Sequence, residues 1–330
     1  LVVGSESKLN IPEIIKKEMN SKLVTSKFDS IESFSLSYSS GDRVRSFIKV
    51  QDGCDYNCTF CTIPLARGKS RSSKISEIVD VVNSLDRKGY KEVVLSGINL
   101  GDFGNGSNQN CFQLFQEIEK STSIPRIRIS SIEPNLLSDN IINLIASSKR
   151  FMPHFHIPLQ SGSDRILKLM KRKYNVRFYS NKINKIKSII PNASIGVDVI
   201  VGFPTETDDE FNETYNLLSD LEVSYLHVFT YSERENTIAI NLKPKVVQEV
   251  RNIRSKKLRA LSEYLKSQFI IKNMNTNHTI LVEGVHDNVL HGYTENYIKF
   301  HVNSNRMKIN DLVNVKPLDS SYGTITGKTV

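Results

Sequence analysis

Short runs rich in Val, Ile and Phe, separated by stretches whose apolar residues fall three and four apart, restrict the fold of this sequence more than any other feature. Residues 46–51, 92–96, 126–132, 154–159, 193–203 and 225–231 read as strands. Residues 73–87, 111–121, 138–147, 176–189 and 208–221 read as helices. Such alternation argues for βα units around a parallel sheet, an α/β barrel-like core that need not close. In the fifth strand Val197, Val199 and Val201 alternate with Asp198, Ile200 and Gly202, so one set faces helices and the other the barrel interior. Chemistry in these folds collects at the carboxyl ends of strands, and Cys54, Gly97, Glu133 and Gln160 each follow one.

The pattern stops after Pro244, where a long charged helix is expected to run to about Asn273 with Val246, Val250, Ile253, Leu258, Leu261 and Leu265 as its apolar stripe. From His278 onward, short strands punctuated by Gly292, Asn305 and Gly323 suggest a small antiparallel barrel. The first 45 residues hold no comparable pattern, and 33–40 reads as a polar linker. A chain of 330 residues is long enough for about two domains. No apolar run approaches the roughly 18 residues that would cross a bilayer, and the start lacks a secretory pattern, so no membrane is expected and the compartment is taken as cytoplasmic. Charge is uneven: residues 165–187 carry nine Lys or Arg and no acid, and 243–272 carry nine against Glu249 and Glu263. Each run is either a solvated helix face or a surface for a polyanion such as RNA.

The chemistry lies in QDGCDYNCTFC, residues 51–61, a C-x3-C-x2-C loop directly after a strand. Three cysteines so close do not resemble a disulfide framework and favour metal or cluster ligation. Three thiolates leave one iron of a 4Fe-4S cluster open. S-adenosylmethionine (SAM) can chelate that iron through its amino and carboxylate groups, and one electron then releases a 5′-deoxyadenosyl radical. Structural zinc wants four ligands, yet Cys111 is far along the chain and no His precedes His154. Three unliganded buried thiols are the remaining reading, against which Gly53, Asp55 and Asn57 mark a polar turn. Phe60 is placed to pack against an adenine, or simply to be buried.

C-x3-C-x-aromatic-C resembles the signature of the radical SAM superfamily, which implies a partial or full (β/α) barrel. CTIPLARGKSRS at 61–72, PLQSGS at 158–163 and DVIVGFPTET at 198–207 are similar to the methylthiotransferases, which insert a methylthio group into an unactivated C–H bond. SSIEP at 130–134, HFHIP at 154–158 and HVFTYS at 227–232 most resemble the branch acting on threonylcarbamoyladenosine next to the tRNA anticodon. The neighbouring branches act on isopentenyladenosine or on a ribosomal-protein aspartate. ILVEG at 280–284 and HGYTENY at 291–297 resemble the TRAM domain, a small RNA-binding barrel.

The resemblance implies a division into 1–45 (remnant of an N-terminal methylthiotransferase domain and linker), 46–240 (radical SAM core), 241–273 (connecting helix) and 274–330 (TRAM-like domain). It implies Cys54, Cys58 and Cys61 as cluster ligands and Ser96 and Gly97 against the methionine part of SAM. Phe60, Ile200 and Gly202 would form the adenine wall, and Asp198 would orient SAM or the substrate base, or be an internally satisfied carboxylate. No catalytic side chain is assigned. His154 and His156 share a strand face as core or active-site residues. Arg67 and Arg71 would meet tRNA phosphate or are plain surface, and Tyr293 and Tyr297 would stack on bases or pack a hairpin. Implied partners are a tRNA anticodon stem-loop, a flavodoxin- or ferredoxin-like electron donor and a sulfur source. A second 4Fe-4S cluster belongs to the family's N-terminal domain, whose three cysteines this sequence lacks. Leu1 to Gly4, with Glu6, Lys8, Ile11 and Pro12, resemble the end of that domain, so the chain is expected to begin inside it, with Cys111 a buried small residue.

Overall fold

The computed structural model describes residues 1–4, 7–16, 23–24, 34–41, 44–303, 307–321 and 323–330. Its centre is six parallel strands in chain order, three in each of two sheets: β1 (Arg45–Lys49), β2 (Glu92–Ser96) and β3 (Arg126–Ile129), then β4 (His154–His156), β5 (Ser194–Val201) and β6 (Tyr225–Thr230). Arg45, Glu92 and Arg126 are register partners in the first half, and Gly196 pairs with both His156 and Tyr225 in the second. Isolated bridges, Ile127 to Phe151 and Ser131 to His156, join the halves. Among the described residues β1 and β6 do not pair with each other, so the barrel is open.

Pleating sorts the side chains. Val93, Leu95, Ile127, Phe155, Val197 and Val199 point outward into one core shared with α1 (Ile75–Arg87), α2 (Cys111–Ser121), α3 (Asp139–Ser147), α5 (Val176–Ile189) and α6 (Asp208–Asp220). The short α4 (Asp164–Leu169), which periodicity did not reveal, follows β4. Cys111 is buried in this core. The concave side is left with polar groups, Glu92, Arg126, Arg128, His156, Asp198 and His227 among them.

Two expectations change. Within 33–40, Ser37–Tyr38 pairs antiparallel with β1, so that stretch is partly an edge strand rather than a linker. Elsewhere in the first 45 residues, Val2–Val3 pairs parallel with Leu23–Val24 and Ile11–Lys16 is helical; 5–6, 17–22, 25–33 and 42–43 lie outside the described residues. The long helix α7 (Gln248–Asn273) buries Leu258, Leu261 and Leu265, but Ile253 is 56% exposed. Arg251 and Arg254 are buried in its first half instead, because Glu233 and Glu206 face them at 2.7 and 2.6 Å. No helix among the described residues is long and apolar enough to cross a membrane.

Beyond α7, β7 (His278–His286), β8 (Val289–Thr294), β9 (Lys299–Asn303), β10 (Leu312–Ser321) and β11 (Thr324–Thr329) close a barrel in the order 7-8-9-11-10. All its pairs are antiparallel except β9 with β11. Phe269 and Ile270, from the end of α7, complete its core of Ile280, Val282, Leu290, Phe300 and Val315.

This small barrel seats on the amino-terminal ends of the parallel strands. Glu92 is 1% exposed, and Arg128, Arg126 and Arg45 approach its carboxylate at 3.0, 3.6 and 3.8 Å. Burial would raise its pKa, but the three guanidiniums hold it below the usual carboxylate value. The same arginines reach the small barrel: Arg126 donates to the carbonyls of Thr279 and Tyr293, Arg128 to those of Thr294 and Glu295, and Arg45 pairs with Glu283 at 2.7 Å. Tyr297 stacks between His154 and Tyr293, at 4.5 and 4.7 Å, with the Arg128 guanidinium 4.8 Å from its ring. Tyr297, backed by Tyr293, therefore stoppers the floor of the half-barrel. Tyr297 has a ring on each face, which leaves it no face for a base.

Glu92→Gln should leave three guanidiniums facing one another and cost about 3–5 kcal/mol in urea unfolding. A second contact at this seam responds to pH. His278 Nδ1 lies 2.7 Å from Glu295 and its Nε2 3.2 Å from the Asn273 carbonyl. Burial opposes the charge on His278, but the Glu295 carboxylate outweighs it and raises the pKa. Its contribution to stability is thus full below the unfolded histidine pKa of about 6.5 and lost as pH rises through the higher folded value. The urea midpoint should fall across neutral pH, and His278→Gln should flatten that slope.

Candidate functional site

The cysteine loop is held by a short hairpin, Gln51–Asp52 with Arg71–Ser72, immediately after β1. Gly53 enters it with φ +73°, and a Cβ there would lie 2.0 Å from the Lys69 carbonyl oxygen, so only glycine fits. The Cys54 N–H donates to the Gly68 carbonyl at 3.1 Å. Gln51 ties the loop to the turn after β2: its amide donates to the Gly53 carbonyl at 2.8 Å, and its Oε1 accepts the Asn99 N–H at 2.9 Å. Gly97 gives Gln51 room, since a Cβ would come within 2.8 Å of Oε1. Asp52 is nearly buried, and burial would raise its pKa. The Gly53 N–H and the charges of Lys49, Arg71 and Arg67 hold it lower than usual instead. Arg71, bonded to the Arg67 and Lys69 carbonyls at 2.6 and 3.1 Å, belongs to this scaffold rather than to a free phosphate-binding surface.

The three sulfurs sit partly exposed at the carboxyl end of the sheet and accept donors. Cys54 accepts the Tyr56 N–H and Cys61 the Ile63 N–H, each at 3.4 Å, and Cys58 accepts Nη1 of Arg172 at 3.2 Å. Burial pushes the Cys54 thiol up to about 11 and raises Cys58 as well, so both are thiols until a metal displaces the proton. The sulfurs do not gather within 4.8 Å of one another. Zinc–sulfur bonds of about 2.3 Å require any two sulfurs on one ion to lie no more than about 4.6 Å apart. Three cysteines are one ligand short of a structural zinc site and match a cluster that leaves one iron open.

Arg172 is a site residue that composition hid inside a basic run. It is 3% exposed, pairs with Glu133 and hydrogen-bonds the Tyr174 hydroxyl, which in turn donates to the Pro158 and Leu159 carbonyls. The same run is neutralised elsewhere: Arg165 pairs with Glu210 at 2.6 Å, and Lys182 and Lys185 with Asp139. Lys187 is half-buried and donates to the Ala193 carbonyl, its pKa lowered to about 8 by desolvation. In the second run Arg251, Arg254 and Lys272 are likewise paired. Seven of the eighteen basic residues in the two runs are thus held in ion pairs.

Phe60 and Ile200 meet in one small apolar cluster with Met170, Phe203 and Tyr231, beside the cysteines. Gly202 does not join that wall. It lies past the end of β5 with φ +72°, its N–H goes to Glu206 at 2.7 Å, and a Cβ would strike Arg251 of α7, so strand alternation no longer governs its direction. Asp198 is on the concave side, 2.7 Å from His156 Nε2. Ser96 donates to the Ile48 carbonyl at 3.1 Å. Asn99 is 4% exposed, yet both of its amide atoms lack a partner among the described residues, as does the Ser130 hydroxyl. Orphaned buried polar groups at the mouth of the cysteine loop fit a polar ligand such as the amino-acid end of SAM. Gln51 and Asn99 escaped the sequence reading because nothing in a polar residue's type tells whether its partner is protein or ligand.

A family model for the Radical SAM superfamily matches residues 48–218. The chain belongs to the radical SAM superfamily. Relatives include the threonylcarbamoyladenosine tRNA methylthiotransferases MtaB of Bacillus subtilis, 39% identical over 88% of this chain and 66% of the relative, and of Aquifex aeolicus, 44% identical over 77% and 61%. The tRNA-2-methylthio-N(6)-dimethylallyladenosine synthase of Bacillus subtilis is 33% identical over 100% and 66%. The chain thus spans just under two thirds of the length of these relatives. Among solved structures, the radical S-adenosylmethionine methyltransferase TsrM from Kitasatospora setae superposes with a TM-score of 0.51 at 16% identity, over 59% of this chain and 38% of that one, a likeness of fold.

In this radical SAM half-barrel the loop geometry hangs on Gly53. Gly53→Ala should abolish cluster uptake, read as iron and sulfide per chain after anaerobic reconstitution, while far-ultraviolet circular dichroism stays that of the parent.

Proposed function

We propose that this chain is the radical SAM and RNA-binding part of a cytoplasmic tRNA methylthiotransferase acting at C2 of threonylcarbamoyladenosine next to the anticodon. The observation that carries the reaction class is three partly exposed cysteines in one loop, tied through Gln51 to Asn99, whose side-chain amide has no partner among the described residues. The choice of base rests on the 39–44% identity to the threonylcarbamoyladenosine enzymes against 33% to the dimethylallyladenosine enzyme.

Cys54, Cys58 and Cys61 would hold a 4Fe-4S cluster whose fourth iron takes SAM, and this pair supplies a 5′-deoxyadenosyl radical when bound. Asn99, with Ser96 and Gly97 on the same turn, offers hydrogen bonds to the amino-acid end of SAM. Phe60 and Ile200 form an apolar wall for its adenine and exclude water there. Arg172 places a fixed positive charge at the Cys58 sulfur, and Glu133 keeps that guanidinium aimed. Asp198 offers a carboxylate to a ribose or base from the concave wall. The electron donor and the sulfur source are separate partners. A second cluster calls for cysteines that this sequence does not carry.

Anaerobic reconstitution with iron and sulfide, followed by dithionite and SAM, should yield 5′-deoxyadenosine, and Cys58→Ala should bring it to background. A correctly loaded cluster that gives no 5′-deoxyadenosine would refute SAM cleavage by this chain.

A further inference from the structure

The concave wall formed by β5 and β6 is layered, and the layers differ in chemistry. At the carboxyl end Ile200 pairs with Phe229, which is 53% exposed for a large aromatic ring. Two residues down each strand, a step of about 7 Å, Asp198 pairs with His227. His156 reaches this second layer from β4, its Nε2 2.7 Å from Asp198 Oδ1 and its ring centroid 5.1 Å from that of His227. Below lies a floor: the Tyr225 ring passes within 2.4 Å of where a Gly196 Cβ would stand, and its hydroxyl bonds His154, which stacks on Tyr297. The wall is apolar at its carboxyl end, polar beneath and backed by aromatic rings below.

His227 is the unoccupied member of the polar layer. Its ring touches His156 and Tyr225 but makes no hydrogen bond among the described residues. Burial and the neighbouring His156 keep its pKa below the usual histidine value, so near neutrality it is an uncharged ring with one N–H and one acceptor. His156 is oriented by Asp198 and so fixes one wall of the space in front of His227.

We propose that His227, with His156 and Asp198, is the specificity pocket that receives a polar N6 substituent of the target adenosine and rejects an apolar one. This rests on the tRNA-methylthiotransferase reading above. A target adenine stacked on the exposed Phe229 ring would direct an N6 arm into the second layer. A urea or hydroxyl group there exchanges hydrogen bonds with His227, whereas a dimethylallyl group would strip water from the histidines and return nothing, the loss that lets polar sites discriminate strongly. Asp198 repels the carboxylate of a threonylcarbamoyl arm, so the neutral part of the arm faces the histidines.

The test uses the cluster-loaded chain with SAM and three anticodon stem-loops that differ only in the target adenosine: threonylcarbamoyl, dimethylallyl or unmodified. The parent should bind the threonylcarbamoyl form roughly tenfold or more tighter than the dimethylallyl form. His227→Phe should bring that ratio close to one while retaining dimethylallyl affinity, and His227→Gln, which keeps a donor and an acceptor, should preserve most of it. Equal affinities in the parent, or an unchanged ratio in His227→Phe, would overturn the pocket assignment and leave the enzyme reading intact. Failure to bind any stem-loop would instead refute the tRNA reading, and the pocket with it.

Discussion

The carboxylate of Glu92, buried under three guanidiniums at the amino-terminal end of the sheet, is the contact on which the arrangement of the whole molecule depends. A charge so deep is tolerable only when it is paired and its partners are themselves satisfied. Arg45, Arg126 and Arg128 find their remaining acceptors on Glu283 and on carbonyls of the small barrel. The sheet and the barrel therefore complete one polar cluster between them. With that floor closed by Tyr297 and His154, the half-barrel opens only at its carboxyl end and along its unpaired edges, where the cysteines lie.

The concave face explains why an open barrel suits this site. Six parallel strands bury their outward residues under helices; the inward residues are polar, with Arg126 and Arg128 satisfied by the small barrel and His156, Asp198 and His227 left accessible further along the strands. Charge neutralisation within the chain shapes the rest. Glu133, Glu206, Glu210 and Glu233 each take an arginine from one of the two basic runs, so those four arginines serve the structure.

How far the sequence could be read follows from the range of the forces involved. Helix periodicity and strand patterning are local, so 176–189 and 111–121 were legible to the residue. The stripe on α7 failed at Ile253 because apolar spacing cannot register that Glu206 and Glu233 wait opposite Arg254 and Arg251. Within the candidate site, the cysteine spacing and the loop glycine were visible for the same local reason. Arg172 was not, since one arginine among nine basic residues looks like its neighbours until the fold brings Glu133 and Cys58 to it.

By itself, then, the sequence determined the six parallel strands and most of the helices between them, the three-cysteine loop and the small barrel that follows, all of which are written in the spacing of nearby residues. Only the tertiary structure decided which arginines are consumed internally, what Tyr297 stacks upon, and that His156, Asp198 and His227 meet in one layer. Those outcomes depend on strand register and on pairings across long stretches of chain, and a contact made by residues far apart in sequence leaves no periodic trace in it.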